Sequence, residues 1–455
     1  MQGPAASEQR ALAMPAVERS ETTLDLAGGL QRVQGWLIRL GAFFLPLVVA
    51  WSTNDPVIAP KLVAAHLLIL LVAAVVLARR LRGELTFKRT ALDLPMVAYV
   101  ASAGVSTVFA ANVNLAFFGS NGRLEGLLTI ATYAALFWLT VQSLSTAAEA
   151  RGVIRALLAG AFVVSLIAVL QAVAGALAVD PTSSVARASA TFGNSNALSA
   201  YLAMMLPLAV NELLIATSTS DRILAGNVVA MVAIALALTF GRGGWVGGAV
   251  GLVIVIVAAR PSRRRVVVMV AVAAGLVAAM PAAIALLGAG GASIGQAAAA
   301  RAFTLLDPTS GTGAIRLHIW KDTLGLIASR PLLGYGPDNF GIVFPAFQTR
   351  AWSRLSVIDE SHSEVLQIAA TQGFVGLAAF AWLCISFVRI WWRGRNRILA
   401  GGVLGACIGY LLTLLVNFST VPAALPFWIF LGAATFMLQG DDDSRKAVPV
   451  SGPPR

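Results

Sequence analysis

Uninterrupted apolar runs recur along almost the whole chain, and they constrain it more than any other feature. Each extends for about 17 to 25 residues, the length that carries a helix across about 30 Å of hydrocarbon. The run VVVMVAVAAGLVAAM at 266–280 is apolar on every face. A membrane barrel strand would instead alternate polar and apolar residues over about ten positions. Composition agrees, with 58% hydrophobic and only 12% charged residues, against about 25% charged in soluble globular chains. The expectation is an all-α, polytopic membrane helical bundle of about 12 transmembrane helices. They fall at 36–53, 61–78, 92–110, 124–143, 154–178, 195–217, 223–241, 244–259, 266–288, 361–391, 398–418 and 424–439.

Charge orients this bundle. The basic clusters RRLRGELTFKR at 79–89, RPSRRR at 260–265 and RGRNR at 393–397 all fall on one side of the count. An excess of Lys and Arg marks the cytoplasmic side. The plan is then a cytoplasmic N-terminal tail at 1–35 and helices 1–9 at 36–288. A large extracytoplasmic loop follows at 289–360, then helices 10–12 at 361–440 and a cytoplasmic C-terminal tail at 441–455. The first residues are polar and carry no short apolar core with a cleavage signature, unlike a signal peptide. A net charge of +12 does not indicate nucleic acid, because the basic residues lie between spans rather than on a soluble face. Cys384 and Cys407 fall inside spans, where small apolar packing accounts for them. The DDD of the C-terminal tail reads as a solvated end.

Residues able to do chemistry collect on the outward side. In SHSEVLQIAATQGFVGL, Ser361 precedes Glu364 by three positions, a capping-box spacing that opens a helix. His362 would then occupy the first turn, where the positive helix end keeps the imidazole neutral and able to accept a proton. Glu360 is the rival base. Arg242 sits in TFGRGGWVGG, a glycine-rich break between spans. Arginine can snorkel at an interface, but positive-inside bias disfavours it on the outer side, which favours a ligand role. Gly243 and Gly247 have the spacing for close helix packing. GAIRLHIWKDTLGLIASRPLLGYGPDNF reads as an amphipathic helix ending near Arg330 and Pro331, followed by glycine turns. Arg316 and Trp320 share one face of it, and the planar guanidinium suits a phosphate oxyanion. Trp320 reads more readily as a packing residue than as a sugar platform. Arg123 in GSNGRLEGLLT and Arg187 before ATFGNSNALSAYLA complete four outward arginines. Such a set describes an anion chamber better than a metal site, which would need convergent carboxylates; Asp359 and Glu360 are the one close acidic pair of the loop.

Taken together, TFGRGGWVG, IRLHIWKDTLGLIASRPLLGYGPDNF and SHSEVLQIAATQGFVGL resemble the marks of the O-antigen ligase and Wzy-type polymerase superfamily of bacterial membrane glycosyltransferases. Glycine replaces the serine of that family's serine-arginine-glycine turn. The resemblance implies transfer of a glycan from a polyprenyl diphosphate carrier to an acceptor hydroxyl at the outer face of the inner membrane, without metal or other cofactor. It implies essential roles for Arg242, Arg316 and His362, and a less direct one for Arg187. The acceptor could be a lipid-linked core sugar, a growing glycan or a protein hydroxyl. The non-enzyme alternative is a transporter or flippase for lipid-linked glycan. Coupled transporters place ionisable groups near the bilayer midplane, where this reading puts His66 alone.

Overall fold

The computed structural model describes residues 15–84, 86–174, 178–179, 186–262, 312–349, 358–393 and 397–446. The span expected at 266–288 and the first part of the large loop lie outside these residues. Within them the chain is helical apart from turns, a two-residue antiparallel pairing of Ala178–Val179 with Ala186–Arg187, and short 3-10 turns. The principal helices are α1 (Pro15–Phe44), α2 (Ile58–Leu81), α3 (Asp93–Val108), α4 (Val113–Phe118), α5 (Leu127–Ser143), α6 (Ala147–Val173), α7 (Ser195–Ile215), α8 (Thr219–Leu238), α9 (Arg242–Ala259), α10 (Thr312–Ser329), α11 (Glu364–Arg393), α12 (Arg397–Leu415) and α13 (Val421–Lys446). Seven of these are long and apolar enough to cross a membrane, and α5 and the apolar part of α12 are shorter.

Burial separates the centre of the bundle from its lipid-facing rim. Helix α7 and the apolar part of α13 are enclosed almost throughout. Helix α2 instead leaves Val63, Leu67, Leu70, Leu71 and Leu77 exposed, an apolar outer face suited to lipid. Small residues set the closest approach. On α9, a Cβ at Gly247 would strike the Gly409 carbonyl of α12, and one at Gly251 would lie 2.6 Å from the Gly405 carbonyl. This is the backbone contact that small residues permit between helices in lipid, where dispersion rather than water exclusion drives packing.

Several helix ends differ from the hydropathy boundaries, each for a polar reason. Helix α1 already begins at Pro15 and stops at Phe44, just before Pro46, rather than running to 53. The buried Lys61 ammonium caps the chain beyond it, donating to the Pro46 carbonyl at 3.0 Å and the Val48 carbonyl at 2.5 Å. Helix α13 continues through the DDD segment to Lys446. Helix α12 ends at Leu415, so Asn417 lies in a turn instead of inside a span.

The expected span 361–391 is two helices joined at Gly373, whose φ is +68°. The glycine turn of the large loop fills this break. Phe374 N donates to the Pro331 carbonyl at 2.7 Å, Gly336 N to Thr371 O at 2.8 Å and Tyr335 N to Ala370 O at 3.1 Å. Gly334, at φ +65°, has no room for a Cβ against the Thr371 backbone. The loop is thus hydrogen-bonded into the membrane helix, which holds the ends of α10 and α11 together.

Candidate active site

Six turns meet at one end of the bundle: the segments 55–58, 119–126, 187–194, 239–242, 358–363 and 416–422. Backbone geometry marks this end. Of the six non-glycine residues with positive φ among the described residues, Leu124, Ala190, Phe240, Asp338 and His362 lie in these turns or in the loop packed on them; Arg260, at the C-terminus of α9, is the sixth. Such conformations persist where surrounding contacts over-determine them, as functional sites do. In TFGRGG the positive φ falls on Phe240 rather than on a glycine. The glycines serve proximity instead, since a Cβ at Gly241 or Gly244 would lie within 2.7 Å of Ser199.

His362 does not sit in the first helical turn. It precedes α11 in a left-handed conformation, φ +53°. The expected capping box is not formed either. Ser361 N donates to the Gln367 side-chain oxygen at 2.9 Å, and Glu364 accepts from Ser419 N at 2.7 Å. Trp320 fixes the same turn from α10, its indole N–H donating to the Ser361 carbonyl at 3.0 Å. That bond gives Trp320 a positioning contact with the turn that carries His362.

The turn presents His362 and Glu360 side by side. Nδ1 of His362 is 3.2 Å from Glu360 Oε1, within contact but short of hydrogen-bond alignment. The other Glu360 oxygen lies 2.7 Å from Arg123 Nη1, which also donates to the Asp359 carbonyl at 3.0 Å. Arg123 Nε lies 3.1 Å from Asp338 Oδ1, and Asp338 in turn accepts from Ser120 N, Ser120 Oγ and Glu125 N. The Phe418 ring lies against both the Arg123 guanidinium and His362.

Electrostatics follow from this enclosure. Burial, and then the charges of Arg316 and Arg123, lower the His362 imidazole to about 4. The cause is therefore burial and cations rather than the helix end. Burial pushes the Glu360 carboxyl well above the usual carboxylate range, and Arg123 is the strongest influence opposing it, ahead of Arg316. A neutral imidazole at physiological pH retains a lone pair for a proton.

The remaining arginines approach through Asn417, a residue that sequence reasoning missed. Its side-chain oxygen accepts from Arg316 Nη2 at 3.0 Å, and its carbonyl accepts from Glu364 N at 3.0 Å. Its amide nitrogen lies 3.1 Å from where a Gly243 Cβ would be. One buried amide thus joins α10, the start of α11 and the residue after Arg242. Arg187, also buried, donates from Nε to the Thr239 carbonyl at 2.7 Å and from Nη2 to Asn196 Oδ1 at 2.7 Å. It thereby braces the turn that leads into Arg242. The signal for Asn417 was VNFSTVP, a polar interruption between the last two apolar runs; for Asp338 it was the PDN after the glycine turn.

A chamber of about 490 Å³ opens beside this cluster, walled by Arg123, Glu125, Asp359, Glu360, Asn194 and Phe418 among others. His362, Arg187, Arg242 and Arg316 are not among its walls. Among the described residues no group of three or more His, Cys, Asp or Glu side chains is placed to hold a metal ion. His66, on α2, meets the Thr132 hydroxyl at 2.9 Å.

Residues 227–381 match the family model described as O-antigen ligase (Wzy_C). The match covers about a third of the chain and includes Arg242, Arg316, Glu360 and His362, with Arg123 and Arg187 outside it. A search of curated proteins found no match.

Proposed function

With the chain placed by that match in the O-antigen ligase/Wzy-type superfamily, we propose that it transfers a glycan from a polyprenyl diphosphate carrier to an acceptor hydroxyl. Members of the family are glycosyltransferase-like enzymes of the ligase or polymerase kind. The observation that carries the reading is the convergence at Asn417 of Arg316, the turn after Arg242 and the segment bearing His362. It brings cations and a neutral imidazole from distant parts of the sequence to one end of the bundle.

The chemistry divides as follows. The leaving group is a lipid diphosphate, already a stable anion, so departure needs charge stabilisation more than an acid. Arg242 and Arg316 supply it, with Arg187 supporting the Arg242 turn and contributing to the diphosphate field; arginine's planar fork suits phosphate oxygens. His362 takes the acceptor's hydroxyl proton as its oxygen attacks the anomeric carbon opposite the diphosphate, inverting configuration. Glu360 orients the ring from Nδ1. No metal or cofactor enters. About 12 spans, both termini in the cytoplasm of a bacterial inner membrane and the site on the outer face complete the proposal. The O-antigen ligase reaction is preferred, with polymerisation or protein glycosylation differing in the acceptor.

The test is transfer by the purified full-length protein in nanodiscs. It would be supplied with undecaprenyl diphosphate-linked glycan, candidate acceptors and EDTA, and read by mass spectrometry. Glycosylated acceptor and free carrier from wild type, lost in Arg242→Ala and His362→Ala, is the expected result. Movement of intact carrier across the bilayer without cleavage would establish the transporter reading instead.

A further inference from the structure

Four side chains from three separate turns stand in a line. Asp338, Arg123, Glu360 and His362 follow one another at 3.1, 2.7 and 3.2 Å, and their side-chain exposures are 1%, 12%, 9% and 30%. Of these, the sequence marked Arg123 as a diphosphate ligand, whereas the structure turns its guanidinium toward carboxylates. We infer that Arg123, anchored by Asp338, is a positioning residue that holds Glu360 ionised and thereby selects which imidazole nitrogen of His362 carries the proton. For its catalytic consequence this rests on the transferase reading; the tautomer itself does not.

The physical argument concerns a buried acid beside a neutral ring. An ionised Glu360 can only accept, so it favours the proton on Nδ1 and leaves Nε2 with a lone pair. A protonated Glu360 would donate to Nδ1, and the ring's single proton would move to Nε2. The ring stays neutral in both cases, and the extra proton on the carboxyl comes from solvent. The second tautomer faces an incoming hydroxyl with an N–H, which cannot accept its proton. Burial favours the protonated acid, so the balance depends on nearby charge. Facing Glu360 are Arg123 from the 119–126 turn, Arg316 from α10, Asp338 and the neighbouring Asp359; Arg316 and Arg123 also act on His362. Glu125 acts on Arg123 itself, and Arg123 acts in turn on Glu364. Arg123 contacts the Glu360 carboxyl directly, at the 2.7 Å typical of a charge-assisted hydrogen bond.

Three constraints hold that guanidinium in place. Asp338 pairs with the guanidinium at 3.1 Å from Nε, short of hydrogen-bond alignment, while accepting from the backbone of residues 120 and 125, so the acid anchors the turn and pairs with the side chain. Leu124 and Asp338 are both left-handed, at φ 53° and 54°. The Phe418 ring covers the guanidinium at 5.3 Å, and such stacking restricts its rotation. A general phosphate ligand would have little need of three such restraints.

The chain contains three histidines, His66, His318 and His362, so the tautomer can be read directly. Full-length protein labelled with ¹⁵N-histidine, in nanodiscs at neutral pH, would be assigned with His66→Gln and His318→Gln. Expected is an Nδ1–H tautomer for His362 in wild type, a shift to Nε2–H in Arg123→Gln, and retention of Nδ1–H in Arg123→Lys, which keeps a cation. An Nε2–H ring in wild type overturns the inference whether or not the variant folds; an unchanged ring in folded Arg123→Gln overturns it too. With undecaprenyl diphosphate-linked glycan as donor, Arg123→Gln should lower kcat about 100-fold or more with donor KM nearly unchanged. A raised donor KM with kcat retained would make Arg123 a diphosphate ligand and overturn the positioning role. Absence of turnover by wild type would count against the transferase reading and leave the spectroscopic result standing.

Discussion

Arg123 and Arg316 both bear on His362, and each is held by a different set of contacts. Arg123 is enclosed between the carboxylates of Asp338 and Glu360. Arg316 rises from the half-buried face of α10 and donates to the neutral Asn417 amide. A buried cation among carboxylates is a structural commitment, because removing it strands like charges in a poor solvent. The Asn417 contact orients the Arg316 guanidinium.

The comparison can be broken most forcefully at Arg123. Arg123→Ala leaves Glu360 and Asp338 without their counter-ion, and loss of one partner of a buried pair costs about 3–5 kcal/mol. A large fall in the thermal unfolding midpoint in detergent is expected, whereas an unchanged midpoint would mean the pair is solvated. Arg316→Ala should instead leave the fold near wild type and lower transfer about 100- to 1000-fold, the usual effect of removing one charge-stabilising donor. Near-normal turnover of that variant would remove Arg316 from the site. Asn417→Ala should fall between the two in stability terms, at about 1–3 kcal/mol for a buried acceptor contact, and should lower transfer by loosening Arg316.

A finer test uses pH. His362 is depressed to about 4, so the neutral ring persists above that value and is lost as pH falls through it. The acid limb of kcat/KM should lie near 4 rather than near the ordinary histidine value of about 6.5. Arg316→Gln removes one of the depressing charges and should move the limb upward; a limb fixed near 6.5 in wild type would show that His362 is not the group titrating. The smallest effect expected is that of EDTA, which should leave transfer unchanged; loss restored by a divalent cation would require a metal in the reaction.

Much of the architecture was legible because lipid imposes a simple rule. Apolar runs marked α2, α6, α8 and α9 well, and of the glycine pair Gly243 and Gly247 singled out for close packing, Gly247 does meet the α12 backbone, as does Gly251, which the sequence reading did not single out. Hydropathy placed Asn417 inside a span, because one polar residue at the end of an apolar run barely changes its average. It also joined Glu364–Gln372 to the longer helix beyond Gly373, since a break filled by a distant loop leaves no local trace. The candidate site was partly legible: His362, Glu360 and Arg123 do meet, and Arg316 reaches them through Asn417. The hydrogen bond from Trp320 to the His362 turn was invisible in the sequence.

By itself, then, the sequence determined an all-helical membrane chain and nominated candidate site residues for one end of it. Periodicity, span length and residue chemistry are local properties, and local properties survive without a structure. Only the tertiary structure decided that Arg123 faces Glu360, that Asp338 anchors it, and that His362 stands in a left-handed turn ahead of its helix. Those outcomes depend on segments more than 200 positions apart competing for the same buried charges, and no window along the chain contains both sides of that competition.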